Sequence, residues 1–332
     1  MKVGIVGGTG NISTSIVRVL LEQGHEVVVF NRGNRDEPPQ AVRSIHGDRR
    51  ADPAAFEQAM QAEQFDAAID MICYSKDDAL SSIRAFRGVG HFVQCSTVCT
   101  YGVDYDWLPV SEDHPLRPVT NYGRGKVAAD NAYLAAFHSE GFPATIIKPS
   151  TTYGPQLGVW RQLGREFSWL DRIRKGKPIL ICGDGSAIHQ FLHVDDAALA
   201  FANALGKEHC LGQTYNMVNA GYMSWVDHHR TAMRVLGREV EMVGVPLADL
   251  EALEVPCLST CRDIFAYNVY YDHARIFRDI PEFRPAVSLE EGMRTVIEVM
   301  DREGRIPNSD ELTWEDAIIE AQRGVRKIAV EF

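Results

Sequence analysis

Gly7-Gly8-Thr9-Gly10-Asn11-Ile12-Ser13 lies between the apolar run Lys2–Val6 and the segment Ser13–Glu22. The run has the length and composition of a buried strand. In the following segment Ile16, Val17, Leu20 and Leu21 share one helical face. Gly7 and Gly10 permit a tight turn and close backbone approach, and a helix N-terminus offers free N–H groups and the positive end of its dipole to a pyrophosphate. A plain tight turn needs no cluster of glycines. The stretch therefore predicts the phosphate-binding opening of a dinucleotide-binding unit, with Gly7, Thr9, Gly10, Asn11 and Ile12 at the cofactor.

Outward from this turn, strand and helix patterns alternate, as in a parallel sheet with crossover helices. Glu26–Phe30, Ser44–His46, Asp66–Ile72, His91–Cys95 and Ala144–Ile147 read as strands. Pro53–Ala62 and a segment from about Tyr122 to Ser139 read as helices. The near absence of polar alternation in 66–72 and 91–95 predicts strands buried on both faces. Beyond Tyr153 the alternation breaks. Helices are expected at Arg165–Arg174, Asp195–Leu205 (capped by its aspartates), Trp225–Leu236, Leu289–Met300 and Trp314–Gln322, with strands at Pro178–Ile181 and Gln213–Val218. The expected division is a doubly wound α/β domain over 1–153, with later returns near 191–218, and a smaller α/β substrate lobe over most of 154–332.

With 332 residues, 45% hydrophobic and 24% charged, the chain has the balance of a globular protein, not of a disordered or fibrous one. Its net charge of −11 argues against a nucleic-acid duplex or an anionic membrane as main partner. No apolar run approaches a membrane span, and MKVGIVGGTG is already strand and turn, so no signal peptide and a cytoplasmic location are expected. The seven dispersed cysteines fit reduced thiols and complete no zinc pattern. His228 and His229 are neighbours on a helix and do not face one site, so no metal is assigned.

Cofactor choice is read at the end of the second strand, where a carboxylate would bind the ribose hydroxyls and exclude a 2′-phosphate. Here Asn31 is followed by Arg32, with Arg35 nearby. Guanidinium groups suit a phosphate, so NADP is expected over the alternative, NAD. Solvated loop charge is the plainer reading of the arginines. Asp48 could accept from the adenine amino group with Arg49 beside it, or be an ordinary turn residue.

Tyr122 and Lys126 are four residues apart, on one face of the expected helix. A free phenol titrates at about 10, and an adjacent ammonium favours its ionised form, letting it exchange a proton with a substrate hydroxyl or carbonyl. Gly123 and Gly125 lie between them at a cost of about 1 kcal/mol each relative to alanine, which is understandable if a cofactor or a loop comes close. Cys95-Ser96-Thr97-Val98-Cys99-Thr100-Tyr101-Gly102 begins at the carboxyl end of a buried strand, where sites on open α/β sheets form.

At this point the sequence resembles the extended short-chain dehydrogenase/reductase family, the epimerase/dehydratase type. The resemblance rests on the glycine turn, the Ser-Thr-x-x-x-Tyr-Gly segment, Tyr122/Lys126, Lys148-Pro149 with Tyr153-Gly154-Pro155, Phe191-x-His193-Val194-Asp195-Asp196, and Asp272 with Leu289-Glu290-Glu291-Gly292. It implies a Rossmann-type doubly wound sheet with a smaller C-terminal lobe, and hydride transfer at a carbohydrate or sugar-nucleotide hydroxyl. It assigns Thr97 to bind the reacting oxygen, Tyr122 to act as acid/base, and Lys126 to hold the nicotinamide ribose and lower the tyrosine pKa. Lys148 joins the expected cofactor set. A homodimer through the apolar helix carrying Tyr122 is also implied, although burial under the second lobe would explain the same pattern.

The departures concern substrate. Val98 and Cys99 replace the acid pair that dehydratases carry after the threonine. His189 stands where the family has a diphosphate-clamping arginine, and Thr151 where it has asparagine. Arg161, Arg165, Arg172 and Arg174 could supply phosphate contacts instead, or form a solvated face. An epimerase is the leading expectation; the alternative is a net NADPH-dependent reductase or dehydrogenase of a non-nucleotide sugar or polyol. A rival of another class is an RNA-binding or cofactor-sensing module like the chloroplast stem-loop RNA-binding branch of the superfamily, disfavoured by the acidic charge and the intact Thr–Tyr–Lys set.

Overall fold

Strands covered on both faces need apolar side chains at nearly every position, and that requirement sets the centre of this chain. The computed structural model describes residues 1–34, 39 and 41–326; Arg35 falls outside them. Its central elements are β1 (Lys2–Val6), α1 (Ser13–Glu22), β2 (Glu26–Asn31), β3 (Arg43–His46), α2 (Pro53–Glu63), β4 (Ala67–Asp70), α3 (Lys76–Ala85), β5 (His91–Cys95), α4 (Asn121–Glu140) and β6 (Ala144–Pro149). Together with Thr214–Met217 the strands form a seven-stranded parallel sheet among the described residues, in the order 214–217, β6, β5, β4, β1, β2, β3. The order reverses between β1 and β4, so their carboxyl ends open the crevice in which ligands of doubly wound sheets bind.

Two apolar cores flank the sheet. On one face Ile16, Val17 and Leu20 of α1 pack with Ala197, Ala200 and Phe201 of the helix Val194–Ala204. On the other, Phe56 and Met60 of α2, Ile83 of α3, and Ala129 and Tyr133 of α4 share one cluster. The helix α3 has no counterpart in the sequence reading. Its buried side includes Ser81 and Ser82, which dilute the apolar stripe, although Ser75 caps it conventionally by accepting from the Asp78 N–H at 3.1 Å. The helix 194–204 is not capped by its aspartates. His193 is the N-cap, its Nδ1 accepting from the Asp195 N–H at 3.3 Å, while Asp195 Oδ1 accepts from Ser15 Oγ and Arg18 Nη2 of α1, each at 2.7 Å.

The chain divides into two compact units. The first comprises Met1–Thr152, Phe191–Ala220 and Tyr271–Ala286; this last return has no signal in the sequence reading. The second holds Tyr153–Gln190, Gly221–Tyr270 and the described residues from Val287 onward, with parallel strands Ile179–Cys182 and Met242–Val245 and helices Ser168–Lys175, Trp225–Leu236, Leu289–Arg302 and Trp314–Arg326. Here two of the four arginines, Arg161 and Arg172, are neither a phosphate site nor a solvated face, while Arg165 is exposed. Arg161 is fully buried, its Nη1 and Nη2 donating to Glu315 at 2.8 and 2.6 Å. Arg172 is 1% exposed and donates to the Pro178 carbonyl and Asp316, each at 2.7 Å; Arg174 pairs with Asp301. These ion pairs tie the C-terminal helices to the unit's core. His228 and His229 are both buried and bond the carbonyls of Trp160 and Trp225 at 2.8 and 2.6 Å. Among the described residues no helix is long and apolar enough to cross a membrane.

Candidate active site

The glycine turn forms because no side chain fits it. Gly7 has φ +86°, and a Cβ there would lie 2.6 Å from Ile72 Cγ2. Ser13 closes the turn, its Oγ accepting from the Gly10 N–H and donating to the Gly7 carbonyl, each at 2.7 Å. The α1 N-cap is Ile12, with no side-chain cap bond and no acid in the first turn. The positive end of α1 is thus left to an outside anion, and the turn fits a dinucleotide pyrophosphate.

At the end of β2, Asn31 Oδ1 accepts from the Gly33 N–H at 2.8 Å and lies 3.1 Å from His46 Nδ1. Arg32 is exposed and 4.0 Å from Asp48 Oδ2. Asp48 is held below the usual carboxylate range chiefly by the Arg50 and Ala51 N–H groups, with Arg32 adding a smaller pull. The expectation for Arg49 is corrected. Its guanidinium is buried and donates to Asp70 Oδ2 at 2.6 Å, Ser82 Oγ at 2.8 Å and the Asp78 carbonyl at 2.5 Å, so the side chain braces β4 against α3. Lys148, expected in the cofactor set, is likewise buried, its Nζ 4.4 Å from the Tyr101 ring centroid and 4.0 Å from Asp130 Oδ2.

Thr97, Tyr122 and Lys126 are brought together at the carboxyl end of β5. Thr97 caps the short 3₁₀ turn Val98–Thr100, its Oγ1 accepting from the Cys99 N–H at 3.2 Å, which leaves its own hydrogen to face the Tyr122 phenol. Lys126 is 1% exposed; its Nζ donates to the Cys95 carbonyl at 2.5 Å and lies 5.8 Å from the Tyr122 ring centroid. Tyr122 is 46% exposed. Packing pushes its phenol above the ordinary value, while the Thr97 hydroxyl pulls the other way. Solvent screens part of that upward push at a residue this exposed. This upward direction runs against the lowering expected from Lys126, which is not among the groups that set it.

The loop after β4 supplies a residue that the sequence reading missed. The Tyr74 ring lies 6.1 Å from that of Tyr122, with Lys126 Nζ 4.7 Å and Arg50 Cζ 5.5 Å from its centroid. The two helical glycines carry the signal for it. A Cβ on Gly125 would stand 2.2 Å from the Tyr74 carbonyl oxygen, and one on Gly123 would stand 2.8 Å from that of Cys99. The loops do come close to α4, and only glycine lets them.

In the second unit His189 is fully buried, its ring 5.2 Å from Trp225 and 5.3 Å from Phe265. Burial lowers its pKa to about 3, so the imidazole is neutral and presents no positive charge to a diphosphate.

Residues 3–220 match the NAD dependent epimerase/dehydratase family. The 2′-dehydrokanamycin reductase of Streptomyces kanamyceticus is 30% identical over 247 residues, covering 74% of this chain and 70% of that protein. The chloroplast stem-loop binding protein of 41 kDa b of Arabidopsis thaliana is 26% identical over 242 residues, 68% of this chain and 60% of its own length. Among solved structures, UDP-glucose 4-epimerase with UDP-glucose from Thermotoga maritima superposes with a TM-score of 0.74 at 19% identity, covering 91% of this chain and 99% of that one.

Proposed function

The chain belongs to the NAD dependent epimerase/dehydratase family, and from that premise we propose an NADP-dependent reductase or dehydrogenase acting on a keto or hydroxyl carbon of a sugar that carries no nucleotide. The observation that carries the substrate reading is His189, a buried neutral ring where a cationic clamp for a diphosphate would be expected. The relative named a 2′-dehydrokanamycin reductase supports the same direction. The epimerase reading keeps the same Thr–Tyr–Lys set but needs the hydride returned to the other face of the same carbon, with no net redox change. A homodimer and a cytoplasmic location remain part of the proposal.

When bound, the nicotinamide supplies or accepts the hydride. Thr97 donates a hydrogen bond to the reacting oxygen. Tyr122 gives that oxygen its proton in reduction and takes it back in oxidation. Lys126, fixed by the Cys95 carbonyl, stabilises the phenolate left behind and offers its remaining donors to the ribose. The test is stoichiometric. A net reductase consumes one NADPH per carbonyl reduced, and turnover of a sugar without added or consumed cofactor would point to the epimerase.

The cofactor preference is separately testable. Arg32 is exposed and offers a planar fork to a 2′-phosphate. A charge-assisted bond of about 1.5–3 kcal/mol corresponds to NADP binding roughly tenfold or more tighter than NAD. By calorimetry, Arg32→Ala erases most of that gap and spares NAD. Asn31→Asp keeps an acceptor for the Gly33 N–H, adds a carboxylate at the ribose and inverts the preference. Added salt narrows the gap, because the contact is exposed. Equal affinities in the parent protein would refute the NADP reading.

A further inference from the structure

Beneath the Thr–Tyr–Lys set lies a buried carboxyl that the proposed reaction does not touch. Asp130 sits on α4 one turn beyond Lys126 and is 3% exposed. Its Oδ2 accepts from Ser96 Oγ at 2.6 Å and lies 4.0 Å from Lys148 Nζ, while Oδ1 has no hydrogen-bond partner among the described residues. Ser96 is flanked by Cys95, whose carbonyl holds Lys126, and by Thr97. One hydrogen bond thus ties α4 to the strand end that carries Thr97 and, through the Cys95 carbonyl, holds Lys126.

We propose that Asp130 is a positioning residue that, as a carboxylate, fixes Ser96 and through it the placement of Lys126 and Thr97. The proposal rests on the acid/base reading of Tyr122 given above. A carboxylate accepts the Ser96 hydroxyl more strongly than a neutral acid does, because charge-assisted bonds are roughly twice as strong as neutral ones. Its charge also balances the two buried lysines, Lys126 on the same helix and Lys148 on β6. Burial raises Asp130 to about 6, with Lys148, Ser96 and Lys126 opposing the rise. The other groups around it are Cys95 at the end of β5 and Tyr101 after the 3₁₀ turn; Glu112 acts on Lys148 from the far side. Below the midpoint the acid is neutral, the Ser96 tie weakens, and activity falls. Above it the carboxylate is present and activity holds.

The experiment compares Asp130→Asn, Asp130→Glu and Ser96→Ala in the full chain. Asp130→Asn lowers kcat by about tenfold or more with KM little changed, since small misplacements of reacting groups cost factors of this size. The parent shows an inflection in kcat near pH 6 that Asp130→Asn lacks, and Asp130→Glu recovers most of the rate. Ser96→Ala breaks the tie while leaving the acid in place, so it gives the same loss of kcat even if Asp130→Asn fails to fold. A second readout needs neither cofactor nor substrate. The Asp130 carboxyl carbon, followed by NMR in the ligand-free chain, titrates near 6 and moves upward in Ser96→Ala. Unchanged kcat in Ser96→Ala, an inflection that survives Asp130→Asn, or a carboxyl titration that ignores Ser96→Ala overturns the proposal. A Tyr122→Phe protein that keeps its turnover would refute the acid/base reading instead, without moving the carboxyl titration.

Discussion

Tyr122→Phe lowers turnover by at least about 10²-fold and leaves cofactor affinity nearly unchanged. The substitution removes one hydroxyl and keeps the ring, which packs 6.1 Å from Tyr74 and 5.8 Å from the Lys126 ammonium. On the proposed mechanism what is lost is the proton donor to the reacting oxygen, a contribution made in the transition state, so kcat and kcat/KM fall together. Lys126→Ala behaves differently. In the proposed mechanism its ammonium serves both the phenolate and the ribose, and its loss also frees the Cys95 carbonyl at the end of β5. That variant loses turnover and cofactor affinity. Steady-state kinetics with NADPH, paired with calorimetry on the ligand-free proteins, separates the two patterns. Near-normal turnover in Tyr122→Phe would remove Tyr122 from the chemistry.

The parts of this site that were legible in the sequence are those whose chemistry is local. The glycine turn announces itself because three glycines between a strand and a helix have one economical explanation, and the φ of +86° at Gly7 with Ile72 against it is that explanation in geometric form. Tyr122 and Lys126 are legible because helical spacing alone puts them on one face. Tyr74 was not legible, because its place beside Lys126 depends on a loop meeting α4 at Gly125, a contact between segments some fifty residues apart. The arginines were misread for the same reason. Arg49 reads as a cofactor contact beside Asp48, and Arg161 as a phosphate contact or solvated charge, until distant acids are found against them, Asp70 from β4 and Glu315 from the last helix. Helix α3 escaped because Ser81 and Ser82 occupy buried positions where a stripe of larger apolar residues would have marked it. A sequence reports what neighbours along the chain do together; pairings closed by the fold become readable only once the fold is drawn.

Glu315 shows how much such a distant pairing contributes. It is 1% exposed, receives both Arg161 Nη groups and, through Oε1, the Leu180 N–H at 2.7 Å, and stands 3.7 Å from Arg172 Nε. Glu315→Ala therefore leaves a buried guanidinium and a backbone donor without their acceptor. Removing one partner of a buried ion pair costs about 3–5 kcal/mol, most of it the penalty of the charge left behind. Arg161 keeps Glu166 at 3.1 Å and the Leu180 carbonyl at 2.8 Å, which places the expected loss toward the lower end of that range. Glu315→Gln retains an acceptor for Leu180 and one Arg161 Nη but loses the charge and turns the other acceptor into a donor, so it destabilises less than alanine without being neutral. Four of the five tryptophans, Trp160, Trp169, Trp225 and Trp314, lie in the same unit as Glu315, so urea unfolding followed by tryptophan fluorescence reports on the unit concerned. A loss below about 1 kcal/mol in Glu315→Ala would put the pair in the class of exposed ion pairs, whose contribution is typically that small, and would contradict the burial of Arg161 on which this expectation stands.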